Sequence, residues 1–351
     1  MPRPYKPTMR RKPFFALTIL VLVLLLALLL AASLGTVSIP LRDIAAITLQ
    51  RAFGISIGVQ WDETQEAIVW QLRLPRVIGA AIVGAALAVA GVLFQGLLRN
   101  PMADPYLLGT SGGAALAATI ALFVPVSVGG FGFARVPVAA FIGALGAVLL
   151  VYQIARVGPR TPITTLLLAG FAASSMMASV MSFLMLMNQS ALQRVVLWTM
   201  GGISASGWDA LTIVVPLILV GTVAAYALAN DLNAFLLGEE QAAALGVAVE
   251  RQKFLVRAIG ALLTGAAVAI SGLVGFVGLI VPHVVRLVLG PDHRLLLPAS
   301  FLSGAIFLVL ADLIARIVLA PSELPLGVVT ALIGAPFFIY LLRRTKREYT
   351  F

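Results

Sequence analysis

The chain has 351 residues, 61% of them hydrophobic and 11% charged, where a soluble domain carries about 25% charged residues. It contains no cysteine, which excludes disulfides and thiolate metal sites, and two histidines, His283 and His293, too few for a metal site unless carboxylates join them. The net charge of +10 sits at the two ends and in short connections, the arrangement of a membrane protein and not of a nucleic-acid binder.

The composition predicts an all-α, polytopic membrane protein. Ten apolar spans follow one another, at roughly 14–34, 75–98, 106–125, 136–157, 162–187, 209–230, 254–273, 276–290, 295–319 and 326–342. The first follows Arg10, Arg11 and Lys12 and ends in "AASLG", which would suit a cleaved signal. Its 21 residues exceed the usual signal core of about 7–15, so it reads as a retained span. The eighth is short for a full crossing and reads as a broken or tilted segment. Basic tails, 1–13 and 343–351, flank a transmembrane domain over 14–342.

An even number of spans puts both termini on one side. The tails and alternate connections hold 17 of the 24 lysines and arginines, and that side is the cytoplasm. Arg73 and Arg76, in "LRLPRV" before the second span, then face outward, as does Arg316. Pro75 between them suits the first turn of a helix, where its missing N–H costs nothing. Within the second span Gly84, Ala88 and Gly91 form a small-residue face for close helix packing.

"RNPMADP" (99–105) breaks the chain sharply after the second span, and "LLGTSGG" reopens it as a helix. "GAALAVAG" (84–91) returns as "GAAVAISG" (265–272), with Pro101 and Pro282, and Gly109 and Gly290, at the same offset. Copies five spans apart run in opposite directions, which is an inverted repeat.

Charge inside the spans is scarce. Asp312 is the main intramembrane acid, and Arg316 follows it at i+4 in the favourable order for a self-neutralising pair. An ion-coupled secondary transporter would need such an acid, so Asp312 carries that alternative. No GxxxxGK[ST] loop, H-E-x-x-H or convincing nucleophile–base set is present, so the chain does not read as an enzyme, and the scarcity of carboxylates in the spans predicts an energy source in a partner.

The stretch 73–114 resembles the permeases of ABC importers for iron–siderophore, haem and vitamin B12, the FecCD/BtuC-type family. "LLLAG" (166–170), "LWTMGGIS" (197–204), "LGEEQAAALGV" (237–247), "GLVGFVGLIVPHVVRLVLGPDHRLLLP" (272–298) and "ADLIARIVLAPSELPLGVVTALIGAPFFIYLL" (311–342) follow in the family's order. The resemblance implies a type II ABC importer permease in the bacterial inner membrane, with ten spans and both termini cytoplasmic. It implies a second copy of the chain as partner, two cytoplasmic ATPase subunits that hold ATP and magnesium, and an extracytoplasmic substrate-binding protein. Besides these come the membrane lipid and no nucleic acid. The chain itself would hold no cofactor and no metal. Its substrate would be a metal chelate, iron–siderophore first, haem or vitamin B12 next.

The resemblance also implies roles. Arg73, Arg76 and Arg316 match outward arginines that receive acidic residues of the binding protein; on the residues alone, snorkelling to lipid phosphates is equally open. Residues 237–247 match the helix that couples to the ATPase. Glu239 and Glu240 stand at its start, Gly238 and Gly246 permit close turns, and Ala242, Ala243 and Leu245 supply an apolar surface. A plain solvated helix is the rival reading. Asn100 and Met102, with Thr161 and Thr164 opposite, match an inner gate, where the rival is an ordinary connector. His283 and Arg286 in "PHVVR" read as braces.

Overall fold

A computed structural model describes residues 12–35, 37, 39–123, 135–158, 161–203 and 207–346. Most of the two basic tails, and Arg160, lie outside the described residues. Among the described residues every regular element is helical.

Helix α1 (Lys12–Ser33) is apolar all round and buries little beyond Ala27, Ala31 and Ala32, as expected of a span that faces lipid. Helix α2 (Leu41–Phe53) is a short amphipathic helix absent from the sequence reading; its Ile44 and Ile47 pack with Ile39 and Val69. Then come α3 (Glu63–Glu66), a π-helical turn (Ala67–Arg73) and α4 (Leu74–Leu98) as one uninterrupted helix. Pro75 was expected to open a helix, and here the structure differs. The helix begins twelve residues earlier, and the wider π turn just before Pro75 relieves its missing donor and ring clash.

Helix α4 is the axis of the fold and is buried without a break from Val83 to Leu98. Its small residues explain this. A side-chain carbon on Gly84 would collide with the Gly304 carbonyl, and one on Gly91 with that of Gly278. Gly84 and Ala88 thus share one neighbour, while Gly91 meets another.

After α4, Arg99 takes a left-handed conformation, a 3-10 turn covers Pro105–Leu108, and α5 (Thr110–Phe123) starts beyond Gly109. Next are α6 (Arg135–Ala155), α7 (Ile163–Met187), α8 (Gln189–Thr199), α9 (Trp208–Ala227), α10 (Ala229–Phe235) and α11 (Glu239–Ala244). The chain closes with α12 (Val249–Ser271), α13 (Val277–Leu289), α14 (His293–Ile317) and α15 (Leu326–Lys346). All ten expected spans fall on helices. The eighth, α13, is 13 residues long and follows a non-helical break at 272–276, so the expectation of a broken segment holds.

The inverted repeat is visible in the packing. Helix α4 packs on α14 as α12 packs on α6; α5 packs on α6 and α7 as α13 packs on α14 and α15. Gly84 meets α14 while Gly265, 181 residues on, meets Phe141 and Ala144 of α6. The offset does not extend to the prolines. Pro101 lies in a turn and Pro282 inside α13, because the second copy reaches its short helix sooner.

Candidate functional site

Two polar clusters mark opposite ends of α4, which is about 37 Å long at 1.5 Å per residue. At its start three arginines converge. Arg73, 6% exposed, donates through Nη1 to the carbonyls of Ala32 (2.9 Å) and Ser33 (3.2 Å) and through Nη2 to that of Val37. Arg316, 5% exposed, donates to the carbonyls of Ala31 (2.9 Å) and Leu34 (3.3 Å). A helix leaves its last carbonyls without partners, and these two guanidiniums satisfy them at the end of α1.

Asp312, 1% exposed, sits among them. It accepts from Arg316 Nε (3.0 Å) and from Arg76 Nε (3.0 Å to Oδ1). The i, i+4 pair is thus present, with a second arginine added. Arg76, its side chain 14% exposed, also donates through Nη1 to both oxygens of Glu323, at 2.8 and 3.0 Å.

Arg73, Arg76 and Arg316 come together, Arg73 and Arg316 are engaged at the end of α1, and Arg76 is the most exposed of the three. Glu323 was missed because its partner lies 247 residues away in sequence, and nothing local marks it.

At the far end of α4 lies α11. Gly238 (φ +114°) and Gly246 (φ +89°) bracket it, both in the left-handed half of φ where only glycine is unstrained, as the close turns required. Glu239 accepts from Lys253 Nζ at 2.6 Å, and Lys253 also reaches Glu250 at 3.1 Å, which ties α11 to the start of α12. Asp231 of α10 pairs with Gln252 of α12 in the same region. Glu240 is exposed. Ala242, expected on the apolar surface, is instead fully buried, because it faces back onto the bundle. The outward apolar surface is Ala243, Ala244 and Leu245, joined by Leu236 and Leu237. A position for a side-chain carbon on Gly238 lies 3.7 Å from Arg99, the residue that ends α4.

The turn after α4 is held by its own side chains. Asn100 Oδ1 accepts from the Met102 N–H (2.9 Å), and Asp104 Oδ1 from that of Tyr106 (2.8 Å). Burial pushes the Asp104 carboxyl up to about 6, against the opposing Tyr106 N–H. Tyr106 hydroxyl donates to the Val274 carbonyl (3.0 Å) and accepts from its N–H (3.2 Å), which pins the break before α13. Thr161 is buried with its hydroxyl unpaired, and Thr164 is exposed on the first turn of α7. Among the described residues no hydrogen bond joins these threonines to Asn100 or Met102; the 3-10 turn before α5 packs on α7 and links them indirectly.

Arg286 donates to Gln95 Oε1 at 2.7 Å, and Gln95 Nε2 donates to the carbonyls of Gly278 (3.3 Å) and Leu279 (3.0 Å). Arg286 is thus the brace that was expected, and Gln95 is the partner that the sequence did not reveal. His283 lines a shallow crevice with Pro101, Met102, Phe337 and Phe338.

The family model described as the FecCD transport family matches residues 22–344, from α1 into α15. The chain belongs to the FecCD transport family. This FecCD chain is 42% identical to the uncharacterised ABC transporter permease protein YvrB of Bacillus subtilis, over 92% of each chain. It is 47% identical to the cobalamin import system permease protein BtuC of Halobacterium salinarum, over 85% of this chain and 79% of that one. With the Fe(3+) dicitrate transport system permease protein FecD of Escherichia coli the identity is 40%, over 80% and 86%. A solved structure, described as an inward-facing conformation of a transporter assigned to the metal-chelate ABC type, superposes with a TM-score of 0.80 at 32% identity. It covers 93% of this chain and 98% of that one. The FecCD chain is therefore an integral-membrane transporter permease and not an ATPase.

Proposed function

We propose that this FecCD permease forms the membrane path of an importer for a metal chelate, working as a pair of copies with two ATPase subunits and an external binding protein. The observation that carries it is the surface around α11: an exposed apolar cluster bracketed by two positive-φ glycines and tied by Lys253 to one of the long inner helices. A soluble helix would bury Leu237 and Leu245; here they point away from the bundle. A groove on an ATPase subunit is the matching occupant, and motion of α11 would pass to α12 through Lys253 and to α4 beside Arg99.

The positive-inside distribution supports placing α11 in the cytoplasm and the arginine cluster outside. The binding protein would then dock at the cluster, with Arg76 the group that meets its carboxylates. The Asn100–Met102 turn and Thr161 and Thr164 lie toward the cytoplasmic end and would close the path there. Magnesium and ATP would be held by the ATPase subunits.

Few charged side chains lie within the spans, which suits a metal already wrapped by its ligand better than a bare ion. The named relatives move iron citrate, cobalamin and, in the hemin permease HmuU of Yersinia pestis (39% identical), hemin. Ferric siderophore is the first substrate to test, then haem and cobalamin. Replacing Glu239 and Glu240 with lysine should place like charge beside Lys253 and leave transport uncoupled: uptake falls at least tenfold while the assembled permease still binds its external partner. Normal ATP-driven uptake by that double variant would remove the coupling assignment.

A further inference from the structure

We propose that Glu323 is a displaceable internal ligand of Arg76, occupying the docking arginine until a carboxylate of the binding protein takes its place. The proposal rests on the docking role given above to Arg76 and adds what holds that residue beforehand.

Arg76 has two carboxylate partners in very different surroundings. Asp312 is 1% exposed and cannot be reached from outside. Glu323 is 39% exposed and lies on the non-helical connection between α14 and α15. Both of its oxygens meet Arg76 Nη1. The pair is open to solvent on its Glu323 side, where attraction is weaker and screened by salt, so Glu323 leaves at a smaller cost than the buried Asp312 would. The backbone around Glu323 is fixed: the Leu324 N–H donates to the Ala315 carbonyl (2.9 Å) and the Leu326 N–H to that of Gly201 (3.0 Å). Release therefore needs only a side-chain rotation. Because Asp312 holds the Nε edge, the guanidinium keeps its orientation when Glu323 departs.

Charge balance favours a one-for-one exchange. Arg73, Arg76 and Arg316 face Asp312 and Glu323, which leaves the cluster with one excess positive charge. Removing Glu323 raises that to two, and an incoming carboxylate restores it. The partner chemistry this selects is a single acidic side chain on a surface loop, and the exchange keeps the cluster from offering a bare guanidinium to other anions.

The test uses the full transporter with its ATPase subunits in lipid nanodiscs and the external binding protein purified without ligand. Glu323→Ala should speed association roughly three- to tenfold at low salt, and the gain should shrink as salt is raised. Arg76→Gln should slow association, with Arg76→Lys as the substitute if Arg76→Gln fails to assemble. A second readout needs no partner: butanedione should modify Arg76 faster in Glu323→Ala, followed by peptide mass spectrometry. If association is unchanged in the Arg76 variant, the docking reading falls and this proposal with it. If the Arg76 variant slows association but Glu323→Ala leaves both association and labelling unchanged, docking stands and the displacement is wrong.

Discussion

Asp312 is 1% exposed and held between two guanidiniums, so its charge stabilises the end of the bundle only as part of a set. A buried ion pair gains little over apolar packing, but removing one member leaves a buried partner without its counter-charge. Asp312→Asn would leave Arg316 with no carboxylate and Arg76 with Glu323 alone. Thermal unfolding of the purified protein should show a loss of about 3–5 kcal/mol. The double variant Asp312→Leu with Arg316→Met should recover part of that, because it removes a buried charge on each side. A single variant as stable as wild type would show that water reaches the cluster freely. The i, i+4 relation of Asp312 to Arg316 was legible in the sequence because helix geometry alone brings such residues together. Arg76 was not, since 236 residues separate it from Asp312 and only the packing of α4 on α14 closes the gap.

Helices report themselves through periodicity and length, and all ten spans were legible for that reason. What escaped were elements too short or too polar to register: α2, α3, the π turn, α8 and α10. The left-handed Arg99 and Phe276 escaped too, because neither residue type announces a positive φ. Gly84, Ala88 and Gly91 were read as one small-residue face, yet packing divides them, and glycines of other helices differ again. Gly91 of α4 lies against the Gly278 carbonyl, whereas Gly146 of α6 has open space around it and is exposed. Gly91→Ala should therefore push α13 away from α4 and cost about 1–3 kcal/mol, as overpacking does. Gly146→Ala adds a better helix former with nothing to strike, and should be neutral or stabilising by up to about 1 kcal/mol. Melting temperatures of the two variants in the same detergent decide it: equal shifts would mean that α4 and α13 are not in the contact described.

At the scale of the molecule, the two polar clusters are joined by a helix with no slack. Helix α4 carries Arg76 near one end and Arg99 at the other, and Gln95 locks it to Gly278, Leu279 and Arg286 of α13. Such a strut transmits displacement but supplies no energy. An ion-driven carrier would need a site that loads and unloads, and Asp312 is the only acid the sequence offers deep in a span. Both of its oxygens are engaged by arginines held by other contacts, so an ion entering there would have to break the link between α4, α14 and the end of α1. The chain alone, reconstituted in liposomes under an imposed proton or sodium gradient, should therefore accumulate none of the three chelates. With the ATPase pair and external binding protein present, ATP inside the cytoplasmic-side compartment should drive accumulation, and a non-hydrolysable analogue should stop it after at most one turnover. Accumulation by the isolated chain that Asp312→Asn abolished would reverse the assignment, because it would make the buried carboxylate the motor and the surface around α11 incidental.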